Sequence, residues 1–125
     1  MSKKLTIFTP TYNRAHTISR VYKSILQQEK KLLSQIEWLI VDDGSTDDTE
    51  LIISEWSKED LPFDLRYIKQ KNGGKHIAFN RAVNEAQGEF FFTVDSDGWQ
   101  IIVLSIYLIW YQAYRKLRTW LALLL

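Results

Sequence analysis

The sequence predicts an α/β fold over residues 1–97, a parallel sheet of about four strands flanked by helices. Three observations predict it. Short runs rich in aromatic, aliphatic and β-branched residues alternate with stretches whose apolar residues recur at helical spacing. All five glycines, at positions 44, 73, 74, 88 and 98, fall between such segments. The strand–helix–strand order occurs three times over, which favours parallel strands joined by crossover helices.

"LTIFT" (5–9) reads as the first strand. Ile18, Val21, Tyr22, Ile25 and Leu26 then repeat at i, i+3, i+4, i+7 and i+8, the stripe of a helix packed on one face. "WLIV" (38–41) is the second strand. In "DDTELIISEW", Asp47 stands three residues before Glu50 and ahead of Leu51, Ile52 and Trp56, the signature of a capped, acid-rich helix start. "LRYI" (65–68) is the third strand. Ile77, Ala78, Ala82, Val83 and Ala86 predict a third helix, ended by Gly88 in the position expected after one. "FFFTV" (90–94) is the fourth strand.

The length of 125 residues allows one compact domain with a real core. A net charge of +1 gives no polyanion footprint, so no nucleic-acid partner is expected. With no cysteine, disulfides and thiolate metal sites are excluded. The start, "MSKKLTIFTPTYN", lacks the apolar core and cleavage site of a secretory signal, so a cytoplasmic location is the default expectation. All fifteen acidic residues lie at or before Asp97. Residues 98–125 hold three cations, Arg115, Lys116 and Arg118, and no acid. That shift divides the chain into a body, 1–97, and an apolar tail, 98–125.

In open α/β sheets, ligands bind beyond the carboxyl ends of the strands. There the sequence places "TPTYNR" (9–14), "DDGSTDD" (42–48), "KQKNGGKH" (69–76) and "DSDG" (95–98). Carboxylates at i and i+2, as in Asp95 and Asp97, can share one hard cation, or divide between a cation and a sugar hydroxyl. A lone D-x-D also suits a solvated loop. Asp42 and Asp43 can accept from a base N–H or a ribose hydroxyl, whereas a turn and helix cap explain Gly44 through Glu50 without them. Tyr12 offers a ring for stacking. "NGGKH" resembles an anion-binding turn at a helix start, with Lys75 adding charge. It is not a phosphate loop of the G-x-x-x-x-G-K-[ST] type, since no Ser or Thr follows Lys75. His76 and His16 read as helix-start and surface residues.

Taken together, "TIFTPTYNRA", "WLIVDDGSTDDT", "NGGKHIAFNRAV" and "GEFFFTVDSD" resemble successive signatures of the family 2 inverting glycosyltransferases, in the correct order and spacing. The resemblance covers residues 5–97. It implies the nucleotide-sugar-binding half of the GT-A fold, a Rossmann-like sheet. By that resemblance Pro10, Thr11 and Tyr12 line the nucleotide pocket. Asp43 contacts the base with Asp42 as its neighbour, Asp95 meets the ribose beside Ser96, and Asp97 binds a divalent metal, Mn²⁺ or Mg²⁺, with Asp95 also within its reach. Charge alone puts Lys75 near the diphosphate. The implied reaction moves a sugar from a nucleotide diphosphate donor, most often UDP-linked, to a hydroxyl of a glycan or lipid-linked acceptor.

The family's acceptor-activating carboxylate lies well downstream of the D-x-D, and this chain has no acid after Asp97. The family also commonly has an acid where Gly98 stands. The catalytic base is therefore unassigned, and the abrupt end of the resemblance is what a truncated or frame-shifted product would give. From Gly98 to Tyr114 no residue is charged. At seventeen residues this run is borderline for a spanning helix of ~20, and Gln100, Ser105 and Gln112 weaken it. Trp99, Tyr107, Trp110, Tyr111 and Tyr114, with the cations after them, suit a membrane interface. A helix packed on the sheet or on a second copy is the other reading.

Two further function classes are open to test. A non-catalytic nucleotide-binding or membrane-associated fragment would share the motifs without turnover. A receiver-type signalling domain also gathers acids at strand ends, but its acid pair belongs after the first strand, and here it follows the second. A dinucleotide-binding dehydrogenase is excluded, because no G-x-G-x-x-G follows the first strand.

Overall fold

The computed structural model describes residues 3–97 and 101–125, with the side chains of the final helix from Tyr111 onward. β1 (Leu5–Thr11), β2 (Ile36–Asp42), β3 (Asp64–Lys69) and β4 (Phe90–Thr93) form one sheet in the order β3-β2-β1-β4. Every pairing is parallel, with Leu5 opposite both Ile36 and Phe90, and Trp38 opposite Leu65. The central strands β1 and β2 are buried almost throughout, as strands covered on both faces must be, while β3 and β4 are half-exposed edges.

One face is covered by α1 (Ile18–Leu26) and α3 (Thr49–Ser57). Ile18, Val21, Ile25, Ile53 and Trp56 pack there on Ile7, Trp38 and Ile40. Tyr22 stacks on Trp56 with centroids 4.3 Å apart, and Trp38 donates its indole N–H to Thr9 Oγ1 at 2.9 Å. Leu26, expected on the buried stripe, lies at its edge and is exposed. A single turn, α2 (Lys30–Leu33), precedes β2, where the sequence analysis assigned no element.

α4 (Lys75–Glu85) covers the other face through Ala78 and Ala82, against Phe8, Leu39 and Val41. This corrects the expected stripe. Ile77 and Val83 are exposed, because two alanines at i and i+4 let the helix sit close on the sheet and turn its flanking residues outward. Gly88 follows α4 and does not adopt positive φ. It is needed for space: a Cβ there would lie 2.4 Å from the Thr6 backbone nitrogen.

At the amino end of the sheet, Glu37 is wholly buried in a charged network. It accepts from Arg66, Thr6 Oγ1 and the Gln87 backbone, while Arg66 also reaches Glu85.

α5 (Ile101–Leu124) is the last element of the chain. Its Tyr111 ring meets Phe90 edge-on at 4.9 Å, and Tyr111, Gln112 and Arg115 border a hollow of about 180 Å³ shared with Lys4 and Leu5. From Gln112 onward the helix is exposed. Among the described residues no helix is long and apolar enough to cross a membrane. Gly98, Trp99 and Gln100, and the side chains of Ser105, Tyr107 and Trp110, lie outside the described residues.

Candidate active site

The chain runs from β1 outward through β2 to β3, then crosses back to place β4 on the other side of β1. Loops leaving β1 and β4 therefore diverge and open a crevice at their carboxyl ends. A cleft of about 700 Å³ lies there, lined among others by Pro10, Thr11, Tyr12, Asp43, Lys75 and Asp97. Asp95 and Ser96 complete the β4 side. Of the residues the resemblance assigns to the nucleotide or the metal, Asp42 alone does not line it.

Asp42 ends β2 with its side chain fully buried. Its Oδ1 accepts the Ser45 backbone N–H at 2.8 Å and its Oδ2 the Tyr67 hydroxyl at 2.6 Å. Asp42, expected as the neighbour of the base-contacting acid, is thus buried behind the cleft. Successive residues of an extended chain point to opposite sides, and here the alternation turns Asp42 into the protein and Asp43 toward the cleft.

Asp43 is the acid that does face it. Its Oδ1 accepts from Gln70 Nε2 at 3.0 Å and Gly73 N at 2.8 Å, and its Oδ2 from Gly74 N at 2.9 Å. Burial pushes its pKa up, but the bonds from Gln70, Gly73 and Gly74, helped by nearby His76, outweigh it and leave the group below the usual carboxylate range. The Gly-Gly turn, expected to bind an anion, donates its backbone N–H groups to the Asp43 carboxylate. Gly74 has φ +97°, a conformation that L side chains rarely adopt. A carboxylate has about four lone-pair sites. Three are used, so one remains for a ligand donor.

The β1–α1 loop is held in place by the β2–α3 loop. Asn13, at φ 51°, accepts from Thr46 N at 2.7 Å and Asp47 N at 3.2 Å, while its own N–H donates to Ser45 Oγ at 2.8 Å. Arg14 N donates to Thr49 Oγ1 and Ala15 N to Asp47 Oδ2. Asp47 also accepts from Thr49 N at the start of α3, where the N-cap residue Asp48 makes no side-chain cap bond. Burial raises the Asp47 pKa, but the hydrogen bonds from Thr49 and Ala15 outweigh it, and the carboxyl sits below its ordinary value.

The sequence analysis missed Asn13, Arg14 and Asn72 on this lining and read His16 as plain surface, yet all four border the cleft. The one available signal was Asn13, since Asn tolerates the left-handed conformation that this turn needs. Thr11 Oγ1 is buried without a hydrogen-bond partner among the described residues, and Tyr12 is exposed. Asp95 and Asp97 are exposed, and neither forms a hydrogen bond or ion pair among the described residues. The same limit applies to metal sites: no cluster of three or more His, Cys, Asp or Glu forms one among the described residues.

A sequence model described as glycosyl transferase family 2 matches residues 6–100. The chain belongs to glycosyl transferase family 2. Glycosyltransferase GlyA of Streptococcus pneumoniae is 36% identical over 96 residues, covering 77% of this chain and 13% of that protein. The S. aureus TarS structure in complex with UDP-GlcNAc superimposes with TM-score 0.62 at 31% identity, over 75% of this family member and 26% of TarS. Mannosyltransferase PcManGT from Pyrobaculum calidifontis, in complex with GDP-Man and Mn²⁺, gives TM-score 0.70 at 28% identity, over 78% of this chain and 28% of that one. The sheet and its helices correspond to the nucleotide-binding half of the GT-A fold. This family 2 chain thus spans well under a third of the proteins just named, and α5 lies beyond the matched segment.

Proposed function

We propose that residues 1–97 bind a nucleoside diphosphate sugar in this cleft as the donor half of an inverting glycosyltransferase, supplying a glycan or lipid-linked acceptor. One observation carries the reading. Asp43, from the loop after β2, and Asp95 and Asp97, from the segment after β4, open onto the same crevice as Pro10, Thr11 and Tyr12, at the point where the strand order reverses.

In this reading Asp43 takes the base N–H with its remaining lone pair, and Tyr12 stacks on the base. Thr11 gains a partner for its buried hydroxyl. Asp95 and Ser96 hold the ribose, and Lys75 faces the diphosphate. Similarity to proteins whose structures contain UDP-GlcNAc or GDP-Man supports a nucleotide sugar, and the stronger identity to TarS favours UDP.

Asp97, with Asp95 beside it, fits a hard divalent cation, since both offer exposed oxygens that no described residue competes for. Two carboxylates leave coordination positions for diphosphate oxygens and water, the usual arrangement for Mg²⁺-type sites. When bound, the cation supplies charge neutralisation for the departing diphosphate. No acid follows Asp97 in the sequence, so residues 98–125 offer no carboxylate to take the acceptor proton. A cytoplasmic location remains part of this proposal.

Calorimetric titration of the chain with UDP, with and without Mn²⁺, tests it. The expected result is metal-dependent affinity that falls at least tenfold in Asp97→Ala. Equal affinity with and without Mn²⁺ removes the metal assignment, and no UDP binding in any condition removes the donor-site reading.

A further inference from the structure

The geometry points to α5 as a surface anchor that lies on an anionic membrane. With 3.6 residues per turn, Ala113, Leu117, Trp120, Leu121 and Leu124 fall on one face of the helix. Leu117, Trp120, Leu121 and Leu124 are 54%, 59%, 49% and 63% exposed. The opposite side, through Tyr111, Gln112 and Arg115, is the one turned to the body at Phe90 and Lys4. The apolar stripe therefore points away from the protein.

Charge decides the occupant. Lys116 and Arg118 flank the stripe, one on each edge, and residues 98–125 contain no acid. A second copy of the helix would bring like charges together, whereas anionic headgroups would meet both cations while the stripe enters the acyl boundary. An apolar stripe bordered by cations and carrying a Trp is the composition of an interfacial helix. Among the described residues no helix is long and apolar enough to span, and the in-plane arrangement rests on the stripe and its flanking cations. This inference does not depend on the donor-site reading.

Cosedimentation of the full chain with phosphatidylglycerol–phosphatidylcholine vesicles, against pure phosphatidylcholine, tests it. A cation near an anionic surface adds roughly fivefold in affinity. Lys116→Gln with Arg118→Gln is therefore expected to weaken binding about twentyfold, and raised salt to weaken it further. Leu117→Ser with Leu121→Ser, both on the exposed face, is expected to abolish binding with far-UV circular dichroism of the body intact. Equal binding to neutral and anionic vesicles, or none to either, overturns the proposal. So does a lipid-free dimer, seen by sedimentation equilibrium, that the two serines dissociate.

Discussion

Tyr67 donates its hydroxyl to Oδ2 of the fully buried Asp42 across 2.6 Å, and neither residue lines the cleft. β3 is thereby tied to the end of β2, just before the chain presents Asp43. Burial, and then the bond to Asp42, holds the Tyr67 phenol protonated far above its ordinary range. Deleting the hydroxyl in Tyr67→Phe leaves a buried carboxylate oxygen without its partner. The expected loss is ~1–3 kcal/mol of stability, read by urea denaturation. UDP affinity at a temperature well below unfolding should change by less than threefold, because Asp42 supports the site from behind. A loss of affinity as large as that of Asp43→Ala would place Asp42 in the binding surface after all.

Asp43 and Asp47 give the cleft an acid limit. Both carboxyls have folded pKa values below the ordinary one. Their stabilisation is fully present above the unfolded value of about 3.9, and is lost as pH falls through the lower folded values. Wild-type stability is therefore expected to drop between about pH 4 and the folded values, with a shallower drop in Asp43→Asn combined with Asp47→Asn. Parallel acid limbs for the two proteins, measured by denaturation at stepped pH, would contradict the assignment.

Much of this arrangement was legible in the chain. β1 and β2 announce themselves because strands buried on both faces must be almost wholly apolar, and the loops because each collects glycine and short polar residues. What stayed hidden depends on three-dimensional direction. Asp42 and Asp43 are chemically equivalent in the sequence, and only strand alternation sends one inward to Tyr67 and the other to the cleft. Applying that period of two at the strand end would have separated them. The Gly-Gly turn was recognised as an anion site, but its anion is Asp43, which arrives from thirty residues earlier in the chain. The α4 stripe was misplaced because Ile77 and Val83 outweigh alanine in any hydrophobicity pattern, while close helix–sheet contact rewards the smaller side chain. α2 is one turn long, too short for a periodic signal.

Gly88 tests a steric claim. Gly88→Ala would put a Cβ 2.4 Å from Thr6 N and 2.7 Å from Thr6 Oγ1, both within the central strand. Backbone there cannot give way as a flexible side chain would. The expected destabilisation is about 1–3 kcal/mol or more, with loss of the Gly88 N–H bond to Thr6 Oγ1. Were the glycine needed only to end α4, Asn would be tolerated there. Gly88→Asn is instead expected to be at least as damaging as Ala in thermal unfolding.

The Glu37–Arg66 pair supplies the last prediction. Glu37 is completely buried, and Arg66 is its only charged partner among the described residues. Two neutral donors, Thr6 Oγ1 and Gln87 N, complete its shell. Arg66→Met removes the compensating charge while leaving the carboxylate in the core, so the expected cost is ~3–5 kcal/mol. Adding Glu37→Met removes the buried charge as well and should recover part of that loss. Recovery must be incomplete, because Thr6 Oγ1 and Gln87 N then lose their acceptor. A double-mutant cycle by urea denaturation reads the coupling directly. A double variant no more stable than Arg66→Met alone would mean that Glu37 holds the Thr6 and Gln87 donors chiefly as a hydrogen-bond acceptor, with its charge contributing little.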